Sequence, residues 1–255
     1  MFFICFSACE RSKYQNSIIS SAHPLASKSG KKMYELGGNA FDAAVSAAFT
    51  LSVVEPSMSG LGGRLQAIFV SNGKIGGVDA STEVPLSYKP TKEKFEHGYK
   101  TIGIPGVVAG LIKLHEENGS LPLEIVMAPA IDHAKNGFKM LPGEAYRQKL
   151  ASKIYKQYDG TSFHFLKEDK TNYEKGETFI QESLSKVLIK ISKEGKKGFY
   201  EGEIAKKIVS DIQINGGIIT LNDLKNYQAL DSRILEGKYE NHNLYSLFLP
   251  SFGAI

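Results

Sequence analysis

The stretch EPSMSGLGG, Glu55 to Gly63, decides how the chain is read. Three glycines and two serines follow a long apolar run, a density that suggests a phosphate cradle. The flanks argue against it. Residues 40–54, AFDAAVSAAFTLSVV, are apolar and small on nearly every side, the pattern of a helix buried between layers, and the alanines suit close packing against a sheet. Asn39 is a natural N-cap for this helix, with Asp42 as its acidic partner, and Pro56 ends it. Beyond the glycines, LQAIFVS (65–71) and KIGGVDA (74–80) flank Asn72-Gly73, a pair that favours the positive φ angles of a type I′ hairpin turn. A dinucleotide fingerprint runs strand, glycines, helix, so that phosphate meets a helix N-terminus. Here the order is helix, glycines, strand, and phosphate would face the wrong end of the helix dipole. The glycines therefore read as a sharp crossing from a buried helix into a first strand. Bare backbone there can pass close to a neighbouring segment or a substrate.

The same punctuation organises the rest. Residues 24–38 predict a short amphipathic helix stopped by Gly37-Gly38. Helices are expected near 106–117 and 123–135, the second interrupted or kinked at Pro129, and an amphipathic one near 202–214. Thr220 and Asp223 form a capping-box signature for another short helix. The segment NLYSLFLPSFGAI is strand-like and apolar up to Ile255, an abrupt end that suggests truncation. Residues 155–180, rich in Lys, Tyr, Asp and Thr, are the expected exposed excursion. These patterns make a layered α+β domain.

Composition narrows the function classes. With 255 residues, 42% hydrophobic and 23% charged, the chain has the make-up of a globular protein with a real core. The net charge of +4 comes mostly from lysines in runs such as KEGKKG (193–198), read as a solvated surface. No arginine-rich patch interleaved with aromatics supports a nucleic-acid partner. The four arginines are Arg11, Arg64, Arg147 and Arg233, each of interest because arginine is the usual carboxylate clamp. The six histidines show no metal-ligand spacing, no cofactor or metal is implied, and no nucleophile elbow occurs. Glu116-Glu117 read as a solvated helix end. The residues alone supply no complete catalytic set.

Both cysteines, Cys5 and Cys9, lie in the opening MFFICFSACERSKYQNS, apolar up to Cys9 and polar after it. It looks like the tail of an export signal. Phe-Ser-Ala-Cys resembles a bacterial lipoprotein cleavage box that would place a lipid, and hence membrane attachment, on Cys9, although the positive n-region is missing and the apolar run is short. The expected division is a leader and linker over 1–19 and one folded region over 20–255, exported to the periplasm or held at a bacterial membrane as a lipoprotein.

Seven segments, in order, carry a resemblance: HPLAS (23–27), GGNAFDAAVSAAFTLSVVEP (37–56), SGLGG (59–63), GIPGVVAGL (103–111) with LPLEIVMAPAIDHAKNGF (121–138), GFYEGEIAKKI (198–208), NGGIITLNDLKNY (215–227) and PSFGAI (250–255). Together they are similar in order and spacing to the large subunit of γ-glutamyltransferases, or glutathione hydrolases. The resemblance implies an N-terminal-nucleophile hydrolase with an αββα sandwich, incomplete in this chain. In that family a precursor cleaves itself before a threonine, whose hydroxyl then attacks a γ-glutamyl amide while its own amine can act as base. Backbone donors stabilise the oxyanion, and water or an amine takes the glutamyl group. The family's Thr-Thr-His motif does not occur in these 255 residues. The implied partners are therefore a small-molecule γ-glutamyl substrate, the remainder of the large subunit and a threonine-bearing small subunit, and no catalytic residue is assigned here.

Two departures bear on the substrate. Where the family typically shows Asp-x-Arg-Glu-x-x-Pro, with the arginine gripping the substrate α-carboxylate, this chain reads DASTEVP (79–85). Ser81 stands at the arginine position and Thr82 at the glutamate position. A neutral serine donor does not replace a bidentate ion pair. The family also continues its glycine run to an aromatic, whereas Gly62-Gly63 are followed here by Arg64. Arg64 is the expected substitute positive charge, alongside Ser81 and Thr82 as substrate-binding positions; its alternative is an exposed strand residue. The resemblance thus implies a γ-glutamyltransferase-like amidohydrolase. Its alternatives are a related amide acylase with a non-glutamyl substrate, or a non-catalytic remnant such as a surface lipoprotein.

Overall fold

The computed structural model describes residues 17–251. Cys9 and all but the last three residues of the 1–19 leader lie outside them, as do residues 252–255.

Helix α1 (Pro24–Glu35) starts where His23 turns its Nδ1 back to accept from the Leu25 amide at 3.1 Å. It stops as the sequence predicts. Gly37 takes φ +84°, and the Gly38 amide reaches back to the Met33 carbonyl at 2.9 Å. Helix α2 (Ala40–Val54) opens with the expected capping box. Asn39 Oδ1 accepts from the Phe41 and Asp42 amides, and Asp42 Oδ2 accepts from the Asn39 amide at 2.8 Å. Its buried residues face all round, but the neighbours differ from expectation. It packs on α1, on α4 (Val107–Asn118) and on α5 (Leu123–Asn136), and meets the sheet through the edge-to-face pair Phe41–Phe69 at 5.2 Å. Val45, Phe49, Val53 and Val54 are large enough to interlock with other helices. The small α4 glycine, by contrast, lets a helix lie on the strands.

After a four-residue helix α3 (Pro56–Ser59), strands β1 (Leu65–Ser71) and β2 (Lys74–Ala80) form the expected hairpin. Asn72 (φ 51°) and Gly73 (φ 74°) both take positive φ, as a type I′ turn requires. Val78 and Ala80 are fully buried on one face, and α4 covers them. A Cβ on Gly110 would meet Leu65 Cδ2 at 2.6 Å and Ala80 Cβ at 2.7 Å, so its absence sets how closely α4 approaches. On the other face, Gly77 sits under Leu247 and Ile234 of a separate hairpin, β6 (Ile234–Tyr239) and β7 (His242–Leu247). The short β5 (Leu230–Asp231) extends the first sheet to the order β1-β2-β5. The result is a mixed α and β layering of helices, sheet and hairpin.

The middle of the chain, where the sequence offers fewer signals, is mostly helical. It runs β3 (Phe138–Lys139), α6 (Pro142–Tyr155), α7 (Asp159–Phe165), β4 (Thr178–Phe179), α8 (Glu182–Glu194), α9 (Lys197–Tyr200), α10 (Gly202–Ile214) and α11 (Leu221–Asn226). Helix α5 continues through Pro129 rather than breaking there. The 155–180 excursion is exposed on its outer side, yet it folds Phe165 and Tyr173 onto the fully buried Phe179. Its aromatics explain why it is less detached than its polar composition suggests. No helix among the described residues is long and apolar enough to cross a membrane.

Candidate functional site

The glycine stretch borders a cleft of about 740 Å³. Ala48 and Leu51 of α2, Met58 of α3, and Val107 and Leu111 of α4 form its apolar walls, and Gly60, Gly62 and Gly63 contribute bare backbone. Arg64 is the only charged side chain among the described residues lining it. It is exposed and makes no ion pair among the described residues. A cationic group over an apolar, backbone-rich cleft is suited to a carboxylate-bearing ligand.

The expected residues flank the open end of the β1–β2 hairpin. Leu65 and Ala80 are the last paired residues of the hairpin, and Arg64 directly precedes one strand as Ser81 directly follows the other. Ser81, however, is already engaged. Its Oγ donates to Asp79 Oδ1 at 2.6 Å and its amide donates to the same oxygen at 3.0 Å. Its carbonyl accepts from the Tyr227 hydroxyl at 2.7 Å. Ser81 is thus a turn residue whose proton points to its own strand. Thr82 is exposed, and its side chain sits beside Gly103 rather than in the cleft. Of the three expected positions only Arg64 lines the cleft; Ser81 and Thr82 do not. Cys9 lies outside the described residues.

Sequence reasoning passed over what holds this corner. The Gly106 and Val107 amides, at the start of α4, donate to the Gly63 carbonyl at 2.9 and 3.2 Å. A Cβ on Gly106 would fall 1.9 Å from the Ala80 carbonyl oxygen and 2.4 Å from the Tyr227 hydroxyl. Closest approach is therefore at Gly106, while Gly62 has open space around it. The glycines of the quoted stretch give the cleft a bare wall, and the tight crossing happens opposite them. Tyr200 and Tyr227 stack behind it, 5.6 Å apart and 8° from parallel. The Tyr200 hydroxyl donates to the Pro105 carbonyl at 2.8 Å and accepts from the Ala109 amide at 3.2 Å. Burial pushes both phenols well above their ordinary range.

One lysine of the KEGKKG run turns inward here. Lys196 Nζ donates to the Tyr227 carbonyl and lies 5.8 Å from the Tyr200 ring. Burial lowers its pKa, against the pull of Glu201, Glu116 and Glu83. A lysine stem is long enough to reach an interior carbonyl from a surface turn, which composition does not reveal.

Known proteins share this architecture. The family model described as gamma-glutamyltranspeptidase matches residues 26–255. The chain is 36% identical over 238 residues to the capsule biosynthesis protein CapD proenzyme of Bacillus anthracis, a match that covers 92% of this chain and 42% of that protein. It is 31% identical over 253 residues to the glutathione hydrolase proenzyme of Escherichia coli (strain K12), covering 94% and 43%. The crystal structure of Helicobacter pylori gamma-glutamyltranspeptidase superposes with a TM-score of 0.89 at 34% identity, over 92% of this chain and 70% of that one. The chain spans less than half the length of these two curated relatives.

Proposed function

Because the chain belongs to the gamma-glutamyltranspeptidase family, we propose that it forms the front part of an amidohydrolase that cleaves γ-glutamyl amides such as glutathione. The glutamyl group passes to water or to an amine. The nucleophile is a threonine at the head of a second subunit outside these 255 residues, which attacks the amide carbonyl and forms an acyl-enzyme. This chain contributes substrate recognition. The observation that carries the reading is Arg64 at the open end of the β1–β2 hairpin, the only charge lining the cleft among the described residues. Arg64 there supplies the carboxylate grip that Ser81, bound to Asp79, does not offer.

In the enzyme assembled with its threonine-bearing segment, Arg64→Ala is expected to raise KM for γ-glutamyl-p-nitroanilide about 10- to 100-fold, the loss of one or two charge-assisted hydrogen bonds. An unchanged KM overturns the assignment. The parent reading is tested separately. The coding sequence beyond Ile255 should carry Thr-Thr-His, and mass spectrometry should find a subunit beginning at that threonine; its absence makes the chain a non-catalytic remnant. The same spectra test our inference that the protein is exported with a lipid on Cys9, which requires a modified Cys9 as first residue.

A second reading has its own support. Ser81 in place of arginine, with its hydroxyl committed to Asp79, suits an amide acylase whose substrate lacks an α-carboxylate. Faster turnover of a simple acyl anilide than of the γ-glutamyl one would favour it.

A further inference from the structure

The cleft wall formed by α3 has an unusual support. Helix α3 buries none of its own residues and has no side-chain cap at its start. Met58 is 70% exposed. Apolar packing therefore does little to fix this turn, although it supplies the cleft with Pro56, Ser57, Met58 and Ser59. Its position is set instead by a polar cluster reaching across from α6. Arg147 Nη2 meets Glu55 Oε1 at 2.6 Å, just before the turn, and Arg147 Nε donates to Ser57 Oγ at 2.9 Å, within it. Ser57 Oγ in turn donates to Glu144 Oε2 at 2.5 Å, and Arg147 Nη2 also reaches that oxygen, at 3.1 Å. Glu144 is fully buried and takes a further hydrogen bond from Gln148 Nε2 at 2.9 Å.

We propose that Arg147 and Glu144 are positioning residues: they act as a latch that holds the α3 turn, and hence the shape of the substrate cleft, without touching substrate. This rests on the reading of the cleft as the substrate-recognition wall of an amidohydrolase. The fork of one guanidinium grips the start of a turn that lacks an apolar anchor, at Glu55 and Ser57, and the buried Glu144 carboxylate accepts from the same serine. Ser57 has its proton on Glu144 and a lone pair on Arg147, so its hydroxyl is a structural pin rather than a nucleophile. Arginine suits this position and lysine does not, because a planar fork serves its three acceptors, Glu55, Ser57 and Glu144, in fixed directions.

The test separates the latch from the catalytic reading. Amide hydrogen exchange of residues 55–63, measured by mass spectrometry on the 255-residue chain, is expected to quicken at least tenfold in Arg147→Met and to fall between the two in Arg147→Lys. Ser57→Ala, which leaves the ion pair to Glu144 and Glu55 in place, provides a second variant should Arg147→Met not fold, and is expected to quicken exchange in the same residues. Unchanged exchange in 55–63 overturns the latch. In the assembled enzyme, Arg147→Met is expected to raise KM for γ-glutamyl-p-nitroanilide about tenfold with kcat within twofold, and Arg147→Lys to recover part of it. A fall in kcat at constant KM overturns the positioning role. If the assembled wild type cleaves no amide, the functional reading fails while the exchange result still decides the latch.

Discussion

The two walls of the cleft are built on opposite principles. At the β2–α4 corner, position comes from close approach and burial: Gly106 against the Ala80 carbonyl, with the Tyr200–Tyr227 stack behind. At α3, position comes from a guanidinium and two carboxylates around one serine, on a turn that buries none of its residues. Packed backbone has one minimum, and disturbing it costs much of the fold. In the polar latch the arginine is partly exposed but Glu144 is buried, so removing the arginine leaves an unpaired buried charge and costs stability too. The two walls therefore differ in kind: close-packed backbone fixes one, and charged side chains reaching from another helix fix the other.

The largest effect expected from this contrast is at Gly106. In Gly106→Ala the new methyl collides with backbone, not with a yielding side-chain end, and the cost should be about 3 kcal/mol or more. Gly62→Ala puts the same methyl into open space on the glycine wall and should stay within about 0.5 kcal/mol of wild type. Urea unfolding of both variants makes the comparison. Equal losses at the two positions would remove the distinction between the walls.

A second test lies at the far end of α4. Asp42, the acidic half of the α2 capping box, also accepts from the Ser120 amide and hydroxyl and the Leu121 amide, and so ties the loop after α4 to the start of α2. Burial alone would raise its pKa, but the hydrogen bonds from Ser120, Asn39 and Leu121 outweigh burial and hold it below the ordinary 3.8. His115 Nε2, 3.8 Å away, donates to the Leu121 carbonyl. A depressed folded pKa means that the stabilisation is complete above the unfolded value and is lost as pH falls through the folded one. Asp42→Asn should cost about 2–4 kcal/mol at neutral pH, since the amide nitrogen faces donors. The gap to wild type should close progressively below pH ~4. A pH-independent gap would show that the carboxylate charge is not what holds the loop.

Much of the packed side was legible in the sequence because its signals are local. Asn39 with Asp42, Thr220 with Asp223, and Asn72-Gly73 each encode a cap or turn within four residues, and the structure contains all three. Helix α8 was legible too, with Leu184, Leu188 and Ile191 at helical spacing, and goes unread beside its lysines. The latch was not. Arg147 stands out only as one of four arginines, and its partners Glu55 and Ser57 lie 92 and 90 residues away along the chain. Likewise Asp223, read as a cap, also accepts from the Leu86 amide at 3.0 Å, a long-range use no local pattern announces. Periodicity reports what a segment buries, not which distant polar group it meets.

Removing a single hydroxyl at each wall sharpens the comparison most. Tyr227→Phe keeps the aromatic stack and the packing against Gly106 and removes only the hydroxyl that donates to the Ser81 carbonyl at 2.7 Å. One neutral hydrogen bond contributes about 0.5–1.5 kcal/mol, so unfolding should shift by no more than that. If burial fixes this wall, hydrogen exchange at Ser81 to Glu83 should barely change, because Gly106 and the Asp79–Ser81 contact still hold the strand end. The matched loss at the other wall, Ser57→Ala, also deletes a single hydroxyl, yet there it removes the pin on which the turn depends. A strong response at Ser57 with a weak one at Tyr227 supports the division into packed and latched walls. Equal responses would mean that hydrogen bonds hold both, and that the stacked tyrosines matter for their oxygens rather than their rings.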